Sequence, residues 1–148
     1  MTRVRRARQR GFTLIEIMVV VVIIGLLTAV VTTQVVGRID EARVTKAKQD
    51  LKQIEFALQM YRLDNSRYPT TEQGLQALLV KPTIEPIPHN WKAEGYLARP
   101  SLDPWKNEYV YISPGADGRP YELMSLGADK REGGEGVDAD ISVWDIDK

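Results

Sequence analysis

From Ile17 to Gly37 the chain runs 21 residues without a charged side chain, and beyond Arg38 its apolar positions recur with a helical period. An uncharged run of that length is enough for a helix to span the roughly 30 Å hydrocarbon of a bilayer. The content of Ile17–Leu27 is apolar and β-branched, which in water would suit a buried strand. A lone strand in lipid leaves its backbone groups unpaired, so a helix is predicted. Farther on, Val44, Ala47, Leu51, Ile54, Leu58 and Tyr61 are spaced 3, 4, 3, 4 and 3, one apolar stripe along a helix. Lys46, Lys48, Gln49, Lys52, Gln53 and Gln59 take the other face, and no proline interrupts residues 12–68. One helix over about 12–63 is therefore expected, about 78 Å long at 1.5 Å per residue, with Gly25 and Gly37 as its weak points. Six stripe positions are few for a zipper, so the stripe is expected to pack on the core of a small domain.

The rest of the chain is punctuated more closely. Asp64-Asn65-Ser66 stops the long helix, and Thr70 with Gln73 makes a capping-box pattern that predicts a short helix over 71–80. Five of the eight prolines (82, 86, 88, 100 and 104) mark 82–104 as a loop. Two strand-like runs follow, 109–112 and 121–125, joined by Pro114-Gly115-Ala116-Asp117-Gly118 as a hairpin connection, with 141–144 as a third strand. The fold class is α+β: a long N-terminal helix, half in the membrane and half soluble, packed on a small antiparallel C-terminal sheet.

Charge sharpens the two ends. Arg3, Arg5, Arg6, Arg8 and Arg10 precede the apolar run with no acid among them, like the start of a secretory signal. Only Thr28-Ala29-Val30 offers a weak small-x-small cleavage pattern, and a lone carboxylate, Glu16, stands at the mouth of the run. A charge near hydrocarbon costs a few kcal/mol or more and implies a partner or a function. The positive-inside tendency keeps the arginines cytoplasmic and sends the C-terminal part across. Beyond residue 11 the chain carries 15 basic and 20 acidic side chains, a poor footprint for nucleic acid. There is no cysteine, and His89, between Pro88 and Asn90, is the one histidine, expected as a plain loop residue. That nearly excludes His-based catalysis, and a thiolate metal site is impossible. The segment Leu126–Ile141 gathers several acids and four glycines. Carboxylates with carbonyls of a Gly-rich loop suit a hard cation such as Ca²⁺, although EF-hand spacing is missing. Spacing alone leaves a metal loop and a solvated acidic loop equally open.

The motif Gly11-Phe12-Thr13-Leu14-Ile15-Glu16 resembles the leader junction of type IV pilins and type II secretion pseudopilins. The resemblance implies cleavage by a prepilin peptidase between Gly11 and Phe12 and N-methylation of Phe12. It divides the chain into a basic leader (1–11), a transmembrane and fibre-core helix (12–36) and a periplasmic domain (37–148). Glu16 then lies one helical turn from the new amine, and in a fibre it can meet the amine of a neighbouring copy, offsetting the cost of an unpaired carboxylate. Leu63–Leu75, Asp103-Pro104-Trp105 and Tyr111–Gly115 resemble blocks of the major pseudopilins of type II secretion, so the similarity runs over most of 11–145. That family implies a type IV pilin-like fold and a helical homopolymer in the periplasm that moves folded proteins toward an outer-membrane channel. It implies minor pseudopilins, an inner-membrane assembly platform and the leader peptidase as partners. It also implies a structural Ca²⁺ held by Asp129, Asp138 and Asp140 with backbone oxygens of Leu126 and then Arg131, leaving Glu132 and Glu135 to solvent. The chain departs from the family at Lys106 and at Lys130-Arg131, where glycine is usual after the tryptophan and after the first aspartate, which suggests different turns there. It also departs at Thr32-Thr33, where relatives often have a proline, so no proline kink is expected. The alternatives are a type IV pilin, disfavoured by the lack of a C-terminal cysteine pair, a membrane-anchored hydrolase using Asp138 and Asp140, and an anionic binding module. No enzyme is expected.

Overall fold

The computed structural model describes residues 11–98 and 102–146, with side chains described throughout except at 29–36. The five leader arginines, Pro100 and the Thr32-Thr33 side chains lie outside the described residues. The chain divides into two compact units, Met1–Ile39 and Asp40–Lys148. One helix, α1 (Leu14–Asn65), begins in the first and ends in the second; it is continuous through Gly25 and Gly37.

In the first unit the apolar side chains from Phe12 to Leu27 are exposed, Phe12 at 80% and Val20, the least exposed, at 47%. Among the described residues of this unit nothing covers them, and a patch of this extent marks a surface made for lipid or for another protein. Among the described residues no helix is long and apolar enough to cross a membrane. The expected span Ile17–Gly37 includes 29–36, whose side chains are outside the description.

The second unit is built on the stripe. Ala47, Leu51, Ile54, Leu58 and Tyr61 are buried, Ala57 joins them, and Val44 packs at the edge. Full burial of a leucine side chain is worth about 1.5–3 kcal/mol, so this face is the main apolar anchor of the unit. Against it lie Ala77, Leu78, Tyr109, Tyr111, Tyr121, Leu123, Ile141 and Val143. On the solvent side, Lys46 Nζ bridges both Asp50 carboxylate oxygens at 2.8 Å. Ser66, at φ 61°, ends the helix.

The sheet has three antiparallel strands, β1 (Val110–Ile112), β2 (Glu122–Ser125) and β3 (Ile141–Ser142), in the order β1-β2-β3. Tyr111 faces Leu123 in the β1–β2 register and both point into the core. Tyr109 and Tyr121, expected inside the strands, stand one residue before them yet remain buried. β3 is two residues rather than four, because the chain turns after Ser142, whose hydroxyl accepts from Trp144 N–H at 3.3 Å.

The expected helix over 71–80 is corrected to a turn and a 3₁₀ segment, Leu75–Leu78. The capping box itself forms: Thr70 N–H donates to Gln73 Oε1 (3.1 Å) and Gln73 N–H to Thr70 Oγ1 (3.2 Å). Gly74 then takes φ 57°, which an α-helix cannot propagate through. Buried Gln73 is occupied elsewhere, its Nε2 donating to the Ile84 and Pro86 carbonyls at 2.8 and 3.0 Å. One glutamine thus pins the proline-rich loop under the core.

Lys106 also corrects an expectation. Its φ is 70°, the left-handed turn that glycine adopts without strain, so the turn is kept and a lysine bears it. A non-glycine residue in this region costs about 1–2 kcal/mol, offset in part by glycine's larger unfolded-state entropy. Lys106→Gly is therefore expected to stabilise the domain by about 1 kcal/mol, a rise of several degrees in the thermal melt. A melt at or below that of the parent would contradict it.

Candidate functional site

Two places carry chemistry. At the start of α1, Thr13 N–H lies 3.4 Å from a Glu16 carboxylate oxygen, and Glu16 N–H donates to Thr13 Oγ1 at 3.3 Å. This is a reciprocal capping box, satisfying amides that an α-helix leaves without partners in its first turn. The pattern Thr-x-x-Glu before an apolar run announces it, as Thr-x-x-Gln does at Thr70–Gln73. Gly11 and Phe12 are exposed and non-helical ahead of it, as a cleavable junction needs.

The second place is the loop after β2. Asp129 Oδ1 accepts from Arg131 N–H at 3.0 Å, and Asp140 Oδ2 accepts from Gly133 N–H at 2.9 Å. Two backbone bonds close the loop on itself, Ala128 N–H to the Val137 carbonyl (3.0 Å) and Asp140 N–H to the Gly133 carbonyl (3.2 Å). Asp138 is half-buried; Asp129, Asp140, Glu132 and Glu135 are exposed. Among the described residues no three acidic, histidine or cysteine side chains converge as a metal site. The loop carries the donor types a hard cation takes, carboxylates and carbonyls, without bringing three acids together. Its cradle is tight, since a Cβ on Gly127 would sit 2.6 Å from the Asp138 carbonyl carbon. Lys130, with φ 61°, occupies the left-handed position where glycine is usual, so this turn too is kept despite the substitution.

Beneath the loop lies a network of hydrogen bonds centred on Asp103. Asp103, 4% exposed, accepts from Trp105 N–H and Asn107 N–H with Oδ1 (3.0 and 2.7 Å) and from Ser125 Oγ with Oδ2 (2.8 Å). Ser125 Oγ accepts from Gly127 N–H at 3.3 Å, and Asn107 Nδ2 donates to the Gly127 carbonyl at 3.0 Å. The Tyr109 hydroxyl is buried here without a well-formed hydrogen bond. Burial, and then the charges of Asp50 and Asp103, push its pKa above the ordinary phenol range. His89 is exposed in its loop.

An α-helix with an uncovered apolar first half, continuing into a buried stripe on a small antiparallel sheet, defines a type IV pilin-like subunit. The profile of the family described as "Type II secretion system (T2SS), protein G" matches residues 34–144, and that of the prokaryotic N-terminal methylation motif matches residues 6–32. The type II secretion system core protein G of Pseudomonas aeruginosa is 57% identical over 141 residues, covering 95% of this chain and 99% of that one. The protein of the same name from Vibrio cholerae is 51% identical over 139 residues, covering 94% of each chain. A crystal structure of the major pseudopilin from the type 2 secretion system of enterohaemorrhagic Escherichia coli superposes with a TM-score of 0.63 at 43% identity. It covers 74% of this chain and 92% of that one. The chain belongs to the protein G family of the type II secretion system, a family of structural pseudopilins.

The loop's geometry separates two glycines. Gly127 (φ 65°) meets the Asp138 backbone, whereas Gly133 (φ 93°) has open space where a Cβ would stand. Both alanine substitutions carry the left-handed cost of about 1–2 kcal/mol, and only Gly127→Ala adds a backbone collision. Gly127→Ala should lower the melting temperature clearly more than Gly133→Ala; equal losses would mean that the loop is not packed as described.

Proposed function

We propose that this chain is the major structural subunit of a type II secretion pseudopilus. Copies stack through their 12–36 helices into a periplasmic fibre whose growth drives folded proteins across the outer membrane. The observation that carries the reading is the uncovered apolar start of α1 with one carboxylate, Glu16, at its mouth. Such a surface needs lipid before assembly and neighbouring subunits after it. A contact between different faces of identical copies does not close, and so builds a filament.

In this reading the basic leader stays cytoplasmic, a prepilin peptidase cuts after Gly11, and Phe12 is N-methylated. The subunit then waits in the inner membrane with its C-terminal domain in the periplasm. Minor pseudopilins and an inner-membrane platform act on it from outside, and the chain itself performs no catalysis. Glu16 has two successive partners: the Thr13 amide within one chain, and the Phe12 amine of a neighbour in the fibre. Intact mass of the processed protein should show loss of residues 1–11 and one added methyl; a chain that keeps its leader beside the peptidase would end the reading. Glu16→Ala should still insert in the membrane but assemble poorly, measured as sheared fibre per cell, and normal fibre yield would remove the charge-pairing role.

The acidic loop is proposed to hold Ca²⁺ through Asp129, Asp138 and Asp140 with the Leu126 and Arg131 carbonyls. The ion supplies charge that lets carboxylates approach one another, holding β3 and the loop after β2 together. What supports this is the donor chemistry and a small domain with no disulfide, where a clip contributes much of the order. Chelation should lower the melting temperature of the detergent-solubilised chain and calcium should restore it; an unchanged melt would remove the metal.

A further inference from the structure

Two apolar features of the second unit face water although neither is needed there for packing. Phe56 is 65% exposed and Leu63 73% exposed, on the side of α1 opposite the buried stripe. They are seven residues apart, two helical turns, so they share one face and lie about 10 Å from each other. Elsewhere in the unit Val80, Ile84 and Ile87 are exposed along the proline-rich loop. That loop is fastened: Gln73 Nε2 holds the Ile84 and Pro86 carbonyls, and Arg67 donates to the Ile87 carbonyl at 3.4 Å. The loop and the 3₁₀ segment enclose an open recess of about 320 Å³, walled by Ala77, Val80, Pro82 and Ile84, with the exposed Glu72 and Lys81 also on its lining. A single exposed leucine needs no explanation, whereas a phenyl ring sharing a face with a leucine, and a ready-made apolar recess, do.

The two features are complementary. One is a ring standing out from a rigid helix; the other is a hollow at the small end of ligand-sized pockets, about 300–1,000 Å³, which suits one aromatic side chain. Their charges also match. Lys52 and Glu55 stand four and one residues before Phe56, and the recess carries Glu72 and Lys81, so each side brings one acid and one base. Identical copies that meet through two different faces build a filament rather than a closed dimer. Phe56 stands on the same unbroken helix, Leu14–Asn65, whose apolar start is proposed to pack between copies. We infer that Phe56 of one copy seats in the Val80–Ile84 recess of the next, with Leu63 extending the contact. This rests on the pseudopilus reading and adds to it a specific contact between the second units of neighbouring copies. One ring in one recess is far smaller than the roughly 1,200–2,000 Å² of a stable interface, so it does not hold free subunits together. It acts once the helices keep copies side by side at high effective concentration.

The chain has no cysteine, so introduced ones report alone. The test is oxidative crosslinking of sheared fibres from cells carrying the secretion machinery, with Phe56→Cys, Ile84→Cys and the double variant. The expected result is a ladder of dimers, trimers and longer chains in the double variant, and monomer in each single one. Fibres mixed from the two single variants should give dimers, which keeps the test readable if the double variant assembles badly. Phe56→Ala should cut fibre yield roughly tenfold or more, as loss of a central aromatic anchor does, while the melt of the detergent-solubilised chain stays that of the parent. Fibres with no 56–84 crosslink and a parent-like yield in Phe56→Ala would overturn the contact and leave the pseudopilus standing. Dimers from Phe56→Cys alone would set the ring against its own counterpart and overturn the recess as its seat. A parent that forms no fibre beside its machinery would bring down the pseudopilus reading, and this contact with it.

Discussion

The second unit depends on one face of α1 being buried. Ala47, Leu51, Ile54, Leu58 and Tyr61 give the sheet and the 3₁₀ segment a rigid surface on which to condense. Few other apolar residues are available, so tyrosines fill the space. Tyr111, Tyr121 and Tyr109 bring large apolar bodies and raise a problem at their tips, since a buried hydroxyl needs a partner. Tyr111 solves it by donating to the Pro69 carbonyl at 2.8 Å, which ties β1 to the end of the helix. Burial raises the pKa of both Tyr111 and Tyr121, favouring the neutral phenol. Tyr109 leaves its hydroxyl unmatched beside the two carboxylates.

A core of this size cannot order the long irregular segments by hydrophobic contact alone. Polar side chains do that work individually. Gln73 holds the 84–86 loop, Trp91 Nε1 donates to the Ala77 carbonyl at 2.9 Å, and Thr71 and Ser113 exchange hydrogen bonds of 2.8 and 3.0 Å. Asp103 does the same beneath the acidic loop. The blocks that carry the family resemblance, 63–75 and 103–105, turn out to be these fasteners. Each such hydrogen bond fixes a residue type and a spacing, whereas an apolar core tolerates exchange.

Glu16 has an ordinary structural role within one chain: it closes the capping box with Thr13, a device for starting a helix. That bond is long and exposed, so it binds the carboxylate weakly and leaves it available to a charged amine, which makes a much stronger partner.

The long helix, its stripe and the three strands were legible because hydrophobic period and turn residues are local signals. The leader junction was legible for the same reason, being a short contiguous motif. What the chain by itself could not disclose was the path of the backbone where side chains decide it. The segment 71–80 has helical composition and a true capping box, but Gly74 turns left-handed and Gln73 is drawn to a loop eleven residues on. Lys106 and Lys130 looked like altered turns, yet both take glycine's left-handed conformation, with Lys106 N–H donating to the Asp103 carbonyl and Arg131 N–H to Asp129 Oδ1. The hydrogen bonds of Ser125 with Asp103 and of Asn107 with Gly127 span 22 and 20 residues and leave no periodic trace, because a hydrogen bond between distant segments exists only once the fold has brought them together.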